Sequence, residues 1–138
     1  MTQEDKMLLI KDLSARLPYA VTVEHTSGFR GTLHDITVHH MYDENDNVYD
    51  AMCYTDFFGD EDSIYIEYFK PYLFPMLSMT EEQKEEYHYN CNVGLNRWGN
   101  EVYYDCVESI DWLNTHHFDY TGLIEKGLAL DATGLNIY

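Results

Sequence analysis

The chain has 138 residues, with 25 Asp and Glu against 8 Lys and Arg, and a formal net charge of -17 at pH 7. That excess argues against direct binding of DNA or RNA, whose affinity rests on phosphate neutralisation by Lys and Arg, and against an anionic membrane surface. With 45% hydrophobic and 15% aromatic residues the chain carries too much apolar material to stay unfolded, and its length fits one domain, residues 1–138.

The first segment reads as a helix. Thr2 caps it, Glu4 and Asp5 suit the positive end of its dipole, and Met7, Ile10, Leu13 and Leu17 repeat at helical spacing before Pro18 stops it. From Tyr19 the period changes to two. Val21, Val23 and His25 then share one face of a strand, and Gly28 and Gly31 bracket a turn. Further strands are predicted at TLHDITVHHMY, with Ile36 and Val38 on one side, at VYDAMCYTD, and at SIYIEYF, with Ile64, Ile66 and Tyr68 inward. Pro71 and Pro75 predict a change of direction, because proline cannot donate to a ladder. Thr80 with Gln83 forms a capping box for a helix over TEEQKEEYH, a Gly- and Asn-rich connection follows at 90–100, and Val107 to His116 reads as a third helix with Val107, Ile110, Leu113 and Trp112 as its apolar stripe.

This order predicts an α+β fold. An N-terminal helix and a small antiparallel sheet of four to five strands occupy 1–77, and a helical C-terminal part, 78–138, packs on them. Short strands joined by tight turns suit an SH3-like barrel, with an open sheet packed on the helix as the alternative. The N-terminus has acids where an export signal carries bases, and its apolar run is too short to span a membrane, so the expectation is a cytoplasmic protein. Cys53, Cys91 and Cys106 are odd in number and lack C-x-x-C spacing, which reads as reduced thiols.

Three stretches, LLIKDLSARLPYAV, KPYLFPMLSMTEEQKEE and DWLNTHHFDYTGLIEKGLALDA, are similar in order and spacing to a family of small uncharacterised cytoplasmic proteins from gut anaerobic bacteria and their phages or mobile elements. The resemblance implies a bacterial, phage or mobile-element gene and carries over no catalytic residue. The region from Gly28 to Phe69 lies outside it.

The acids concentrate there. Residues 41–70 hold nine acids and one base: Asp43, Glu44, Asp46, Asp50, Asp56, Asp60, Glu61, Asp62 and Glu67 against Lys70. Acids at alternate strand positions stand about 6.5 to 7 Å apart, comparable to phosphate spacing along a nucleic-acid backbone. These nine are the candidate surface for a basic partner, in the sharpest case a nucleic-acid-binding enzyme such as a defence nuclease, blocked by mimicry. A solvated acidic face serving only solubility is the plain alternative, with an accessory or regulatory role through some other patch.

Enzyme signatures are missing from the sequence. There is no G-x-S-x-G, P-loop, G-x-G-x-x-G or H-E-x-x-H, so no cofactor and no catalytic residue are assigned. Asp43, Asn45 and Asn47 begin like a calcium loop, but Val48 replaces the required glycine and Tyr54 the bidentate glutamate. His39 and His40 fall on opposite faces of a strand. His116, His117 and Asp119 are the remaining constellation, the basis of a second reading as a metal-assisted hydrolase. Adjacent helical residues diverge by about 100°, which predicts that one ring packs inward while the other caps the helix. Of the 13 tyrosines, Tyr19, Tyr68 and Tyr72 are expected to pack, and Tyr42, Tyr49 and Tyr65 are open as recognition residues.

Overall fold

The first helix, α1 (Gln3–Arg16), begins at the cap the sequence predicts: Thr2 Oγ1 accepts from Asp5 N at 3.1 Å, and the Asp5 carboxylate accepts from Thr2 N at 3.3 Å. Its start is one part of a computed structural model that describes residues 1–42, 47–56, 64–90, 93–95, 98, 101–103 and 107–138. Leu9, Ile10 and Leu13 are buried, and Met7 and Leu17 only half-buried, so the apolar stripe runs one residue away from the expected one at its start. Asp12 and Arg16 occupy the rest of the inward face.

Beyond a short 3-10 turn containing Pro18 come β1 (Thr22–His25), β2 (Arg30–Tyr42) and β3 (Asn47–Thr55), a consecutive antiparallel set. Val21, Val23 and His25 are buried on one side, as their alternation predicts. Gly28 turns the chain into β2 with φ +91, a conformation that favours glycine. Ile64 to Tyr68 forms no regular strand: Tyr65 makes one isolated bridge to Met52, and Ile66–Tyr68 is a 3-10 turn.

The segment with the two prolines is itself a strand, β4 (Phe69–Pro75), lying beside β1 with Val23 opposite Pro71. The expected change of direction is absent for a geometric reason. Thr26 N donates to Tyr68 O at 2.9 Å, and Phe74 N to His117 O at 2.8 Å, so even-numbered residues of β4 bond toward the β1 edge. Odd-numbered ones face the opposite edge, where Leu73 O accepts from Ala132 N at 2.8 Å. Pro71 and Pro75 therefore put their missing donors on that second edge, on either side of Leu73.

Two late, two-residue strands complete a six-stranded sheet. In chain order, α2 (Glu81–Asn90), the hairpin β5 (Val93–Leu95) with β6 (Glu101–Tyr103), and α3 (Val107–Thr115) come first. Then β7 (Phe118–Asp119) and β8 (Leu130–Asp131) both join β4 in parallel. The sheet is mixed and open: β3, β2, β1 and β4 pair in that order, and β7 and β8 each pair with β4, which replaces both the all-antiparallel arrangement and the closed SH3-like barrel. The α+β class stands. The predicted capping box of α2 forms, with Gln83 N donating to Thr80 Oγ1 at 3.1 Å and Thr80 N to Gln83 Oε1 at 2.9 Å.

The main core lies between α1 and one sheet face, where Leu9, Leu13, Val21, Val23, Leu33, Cys53, Ile66 and Leu73 meet Leu123 and Leu128. A second cluster joins Met79, Trp112, Leu113 and Phe118. Ile110 of the predicted α3 stripe is instead 40% exposed. Cys53 is a buried thiol pushed up to about 12 by burial, while Cys91 and Cys106 lie outside the described residues.

Candidate functional site

Of the nine candidate acids, Asp43, Glu44, Asp46, Asp60, Glu61 and Asp62 lie outside the described residues. The other three hold the fold together. Lys6 of α1 reaches Asp50 at 3.6 Å and Glu67 at 3.5 Å, tying the helix to β3 and to the 3-10 turn before β4. Asp56 accepts from Thr32 N at 2.8 Å, closing the open end of the β2–β3 hairpin. Among the tyrosines left open, Tyr65 is 39% exposed, and the side chains of Tyr42 and Tyr49 lie outside the described residues. Tyr72 is buried as expected and donates to Glu24. Arg30 completes that group, with Nε 3.0 Å from Glu24 and its guanidinium 5.0 Å above the Tyr72 ring. These contacts, the Tyr72 hydroxyl first and Arg30 second, hold the Glu24 carboxyl below its usual range.

The two histidines and Asp119 part company at the end of α3. His116 stacks on Trp112 with ring centroids 4.0 Å apart, and its Nδ1 is 2.8 Å from Trp112 O, capping the helix as predicted. His117 takes a left-handed backbone, φ +60, which turns its ring inward onto Tyr138 at 3.6 Å between centroids. Asp119 is spent on its own turn: its carboxylate accepts from Gly122 N, Leu123 N and Ile124 N, each at 2.9 Å. Among the described residues, no group of three His, Cys, Asp or Glu stands together in a way that could hold a metal ion. Asp119→Ala should cost about 2 kcal/mol in urea unfolding, since it strips the acceptor from three backbone donors; Asp119→Asn should recover part of it.

Sequence reasoning missed the polar group packed under this turn. Arg16, wholly buried, sends Nε to Asp12 Oδ1 at 2.5 Å and Nη2 to Asp12 Oδ2 at 3.1 Å. The same Nη2 donates to Phe118 O at 2.8 Å, Thr121 Oγ1 donates to Asp12 Oδ2 at 2.7 Å, and the guanidinium lies 4.9 Å from the Tyr120 ring centroid. The available signal was an Asp and an Arg four apart on the apolar side of a helix, a spacing that permits a bidentate pair.

Tyr138 closes the group from the sheet side. Its hydroxyl accepts from Thr22 N at 3.0 Å and donates to Tyr72 O at 2.6 Å. Thr22 and Tyr72 occupy the next hydrogen-bonding position of the β1–β4 ladder, so the phenol acts as an inserted rung where β1 ends and β7 takes over the same edge of β4. Although Tyr138 as a residue is 44% exposed, its hydroxyl is enclosed between Thr22 N and Tyr72 O, and loss of water there pushes the phenol up to about 12. Burial first, then the Arg16 and His116 charges, bring the His117 imidazole down to about 4.

No helix among the described residues is long and apolar enough to cross a membrane. Comparison with family models, with curated proteins and with solved structures found no match.

Proposed function

We propose that this chain is a non-enzymatic, cytoplasmic acidic protein that presents carboxylates to a basic partner. In its sharpest form it is a phage or mobile-element inhibitor that mimics nucleic acid and occupies the groove of a nucleic-acid-binding enzyme such as a defence nuclease. The observation that carries the reading is the charge imbalance, 25 acids to 8 bases, together with where the bases go. Arg16 is buried against Asp12, Lys6 is enclosed by Asp50 and Glu67, and Arg30 and Lys84 pair with Glu24 and Glu81 at 3.0 Å. Half of the cations are thus engaged within the fold, which leaves few to interrupt a negative surface. Such a field speeds encounter with a basic groove and weakens with salt.

Asp50, Asp56 and Glu67 have internal partners, so reversing them would confound folding with binding. The test therefore reverses Asp43, Glu44, Asp46 and Asp60 to lysine. A pull-down from nuclease-treated bacterial lysate with the parent chain should retain a basic nucleic-acid-binding protein, released by salt and competed by DNA or RNA. The reversed chain, folded by circular dichroism, should retain at least tenfold less. Equal retention, or a partner indifferent to salt, would discard the proposal.

A further inference from the structure

Among the described residues, two buried polar atoms near the end of α3, Arg16 Nη1 and His117 Nδ1, have no hydrogen-bond partner, as is also true of Trp112 Nε1. Each belongs to a side chain of a residue more than nine-tenths buried, and a buried donor left unsatisfied costs about 1–3 kcal/mol. They lie in one neighbourhood. Arg16 Nη2 bonds the carbonyl of Phe118, the residue after His117, and the Arg16 charge acts on both the His117 imidazole and the Tyr138 phenol stacked on it.

We propose that Arg16 Nη1 and His117 Nδ1 line one small site, covered by the Tyr138 ring, that takes a monovalent anion such as chloride together with a proton on His117. Charge balance selects this pairing. Asp12 already neutralises Arg16 through two bonds, so an anion alone would leave the enclosed group at one negative charge, and a proton alone would leave it at one positive charge. Taken up together they leave it neutral. In the imidazolium Nδ1 is a donor whichever nitrogen held the proton before, so both atoms then offer hydrogens to the same anion. Among the described residues, the charged and titratable groups that act on the imidazole are Arg16 of α1, whose charge Asp12 neutralises, Tyr138, whose ring stacks on it, and His116 beside it. Asp119 is turned away into three backbone donors. Proton and anion therefore favour each other's binding by the same factor.

The test is an NMR titration of the histidine side chains in sodium chloride and in sodium methanesulfonate at equal ionic strength. Exposed His34 and His39 serve as internal controls. In chloride the His117 midpoint should rise, by about one unit once chloride reaches ten times its dissociation constant, while the controls stay together in the two salts. Arg16→Lys, which keeps the charge and removes Nη1, should abolish the difference; if that variant fails to fold, the wild-type comparison decides alone. A His117 midpoint equal in both salts overturns the proposal in favour of a neutral guest such as water. Equal movement of all three histidines overturns it in favour of general screening.

Discussion

Asp12→Ala should destabilise the protein by about 3–5 kcal/mol in urea unfolding at neutral pH, because it leaves a buried guanidinium without its counter-charge. Arg16 is fully enclosed, so the cost cannot be relieved by water, and Thr121 Oγ1 loses its acceptor in the same step. Replacing both members, Asp12→Leu with Arg16→Met, should return most of that loss. The desolvation of two charges disappears along with their attraction, and what remains is the Phe118 carbonyl and Thr121 hydroxyl without partners, about 1–2 kcal/mol. A single-mutant cost below about 1 kcal/mol would mean that the pair is hydrated in solution and that the helix is not docked as described.

Acid should weaken the fold through His117. Its folded value, about 4, lies below the unfolded value of about 6.5, so the unfolded chain takes up the proton first as pH falls. The stability contribution is whole above pH 6.5 and declines on the way to pH 4, by about 3 kcal/mol at most and less where solvent screens the ring. His117→Asn should flatten this limb, since asparagine tolerates the positive φ at that position and does not titrate. Measured without chloride, unfolding free energies of the two proteins should diverge in slope between pH 6.5 and 4.5. Parallel slopes would show that the imidazole is already solvated in the folded protein.

Legibility in the sequence followed the range of the interaction. The helix cap at Thr2, the capping box at Thr80 and the two-residue alternation at Val21, Val23 and His25 are local signals, and the structure has all of them. Pro71 and Pro75 misled because a proline's effect depends on which sheet edge its nitrogen faces, a property of register. The two parallel additions to β4 come from two-residue strands too short to carry a period, and they convert an expected antiparallel set into a mixed one. The same limit applied to sites. His116 and His117 were separable from helical geometry alone, but Asp119's three backbone partners and Arg16's approach to Phe118 depend on how the turn after α3 folds and docks. In the sequence the acids near the middle of the chain form one run, yet Asp50 and Glu67 are drawn to Lys6 of α1, from a part of the chain over forty residues earlier.

The Arg16 to Phe118 bond spans 102 residues, and that separation governs the order in which the protein can be made. On a ribosome adding about 5–20 residues per second, α1 emerges seconds before the strand and turn that accept its guanidinium. During that interval Asp12 and Arg16 face solvent as an ordinary helix-surface pair, and the apolar stripe beside them lacks the contribution of Leu123 and Leu128. Sealing this face must await the last portion of the chain, so a stalled or truncated translation product ending before Phe118 would expose α1 and be a ready substrate for chaperones and proteases.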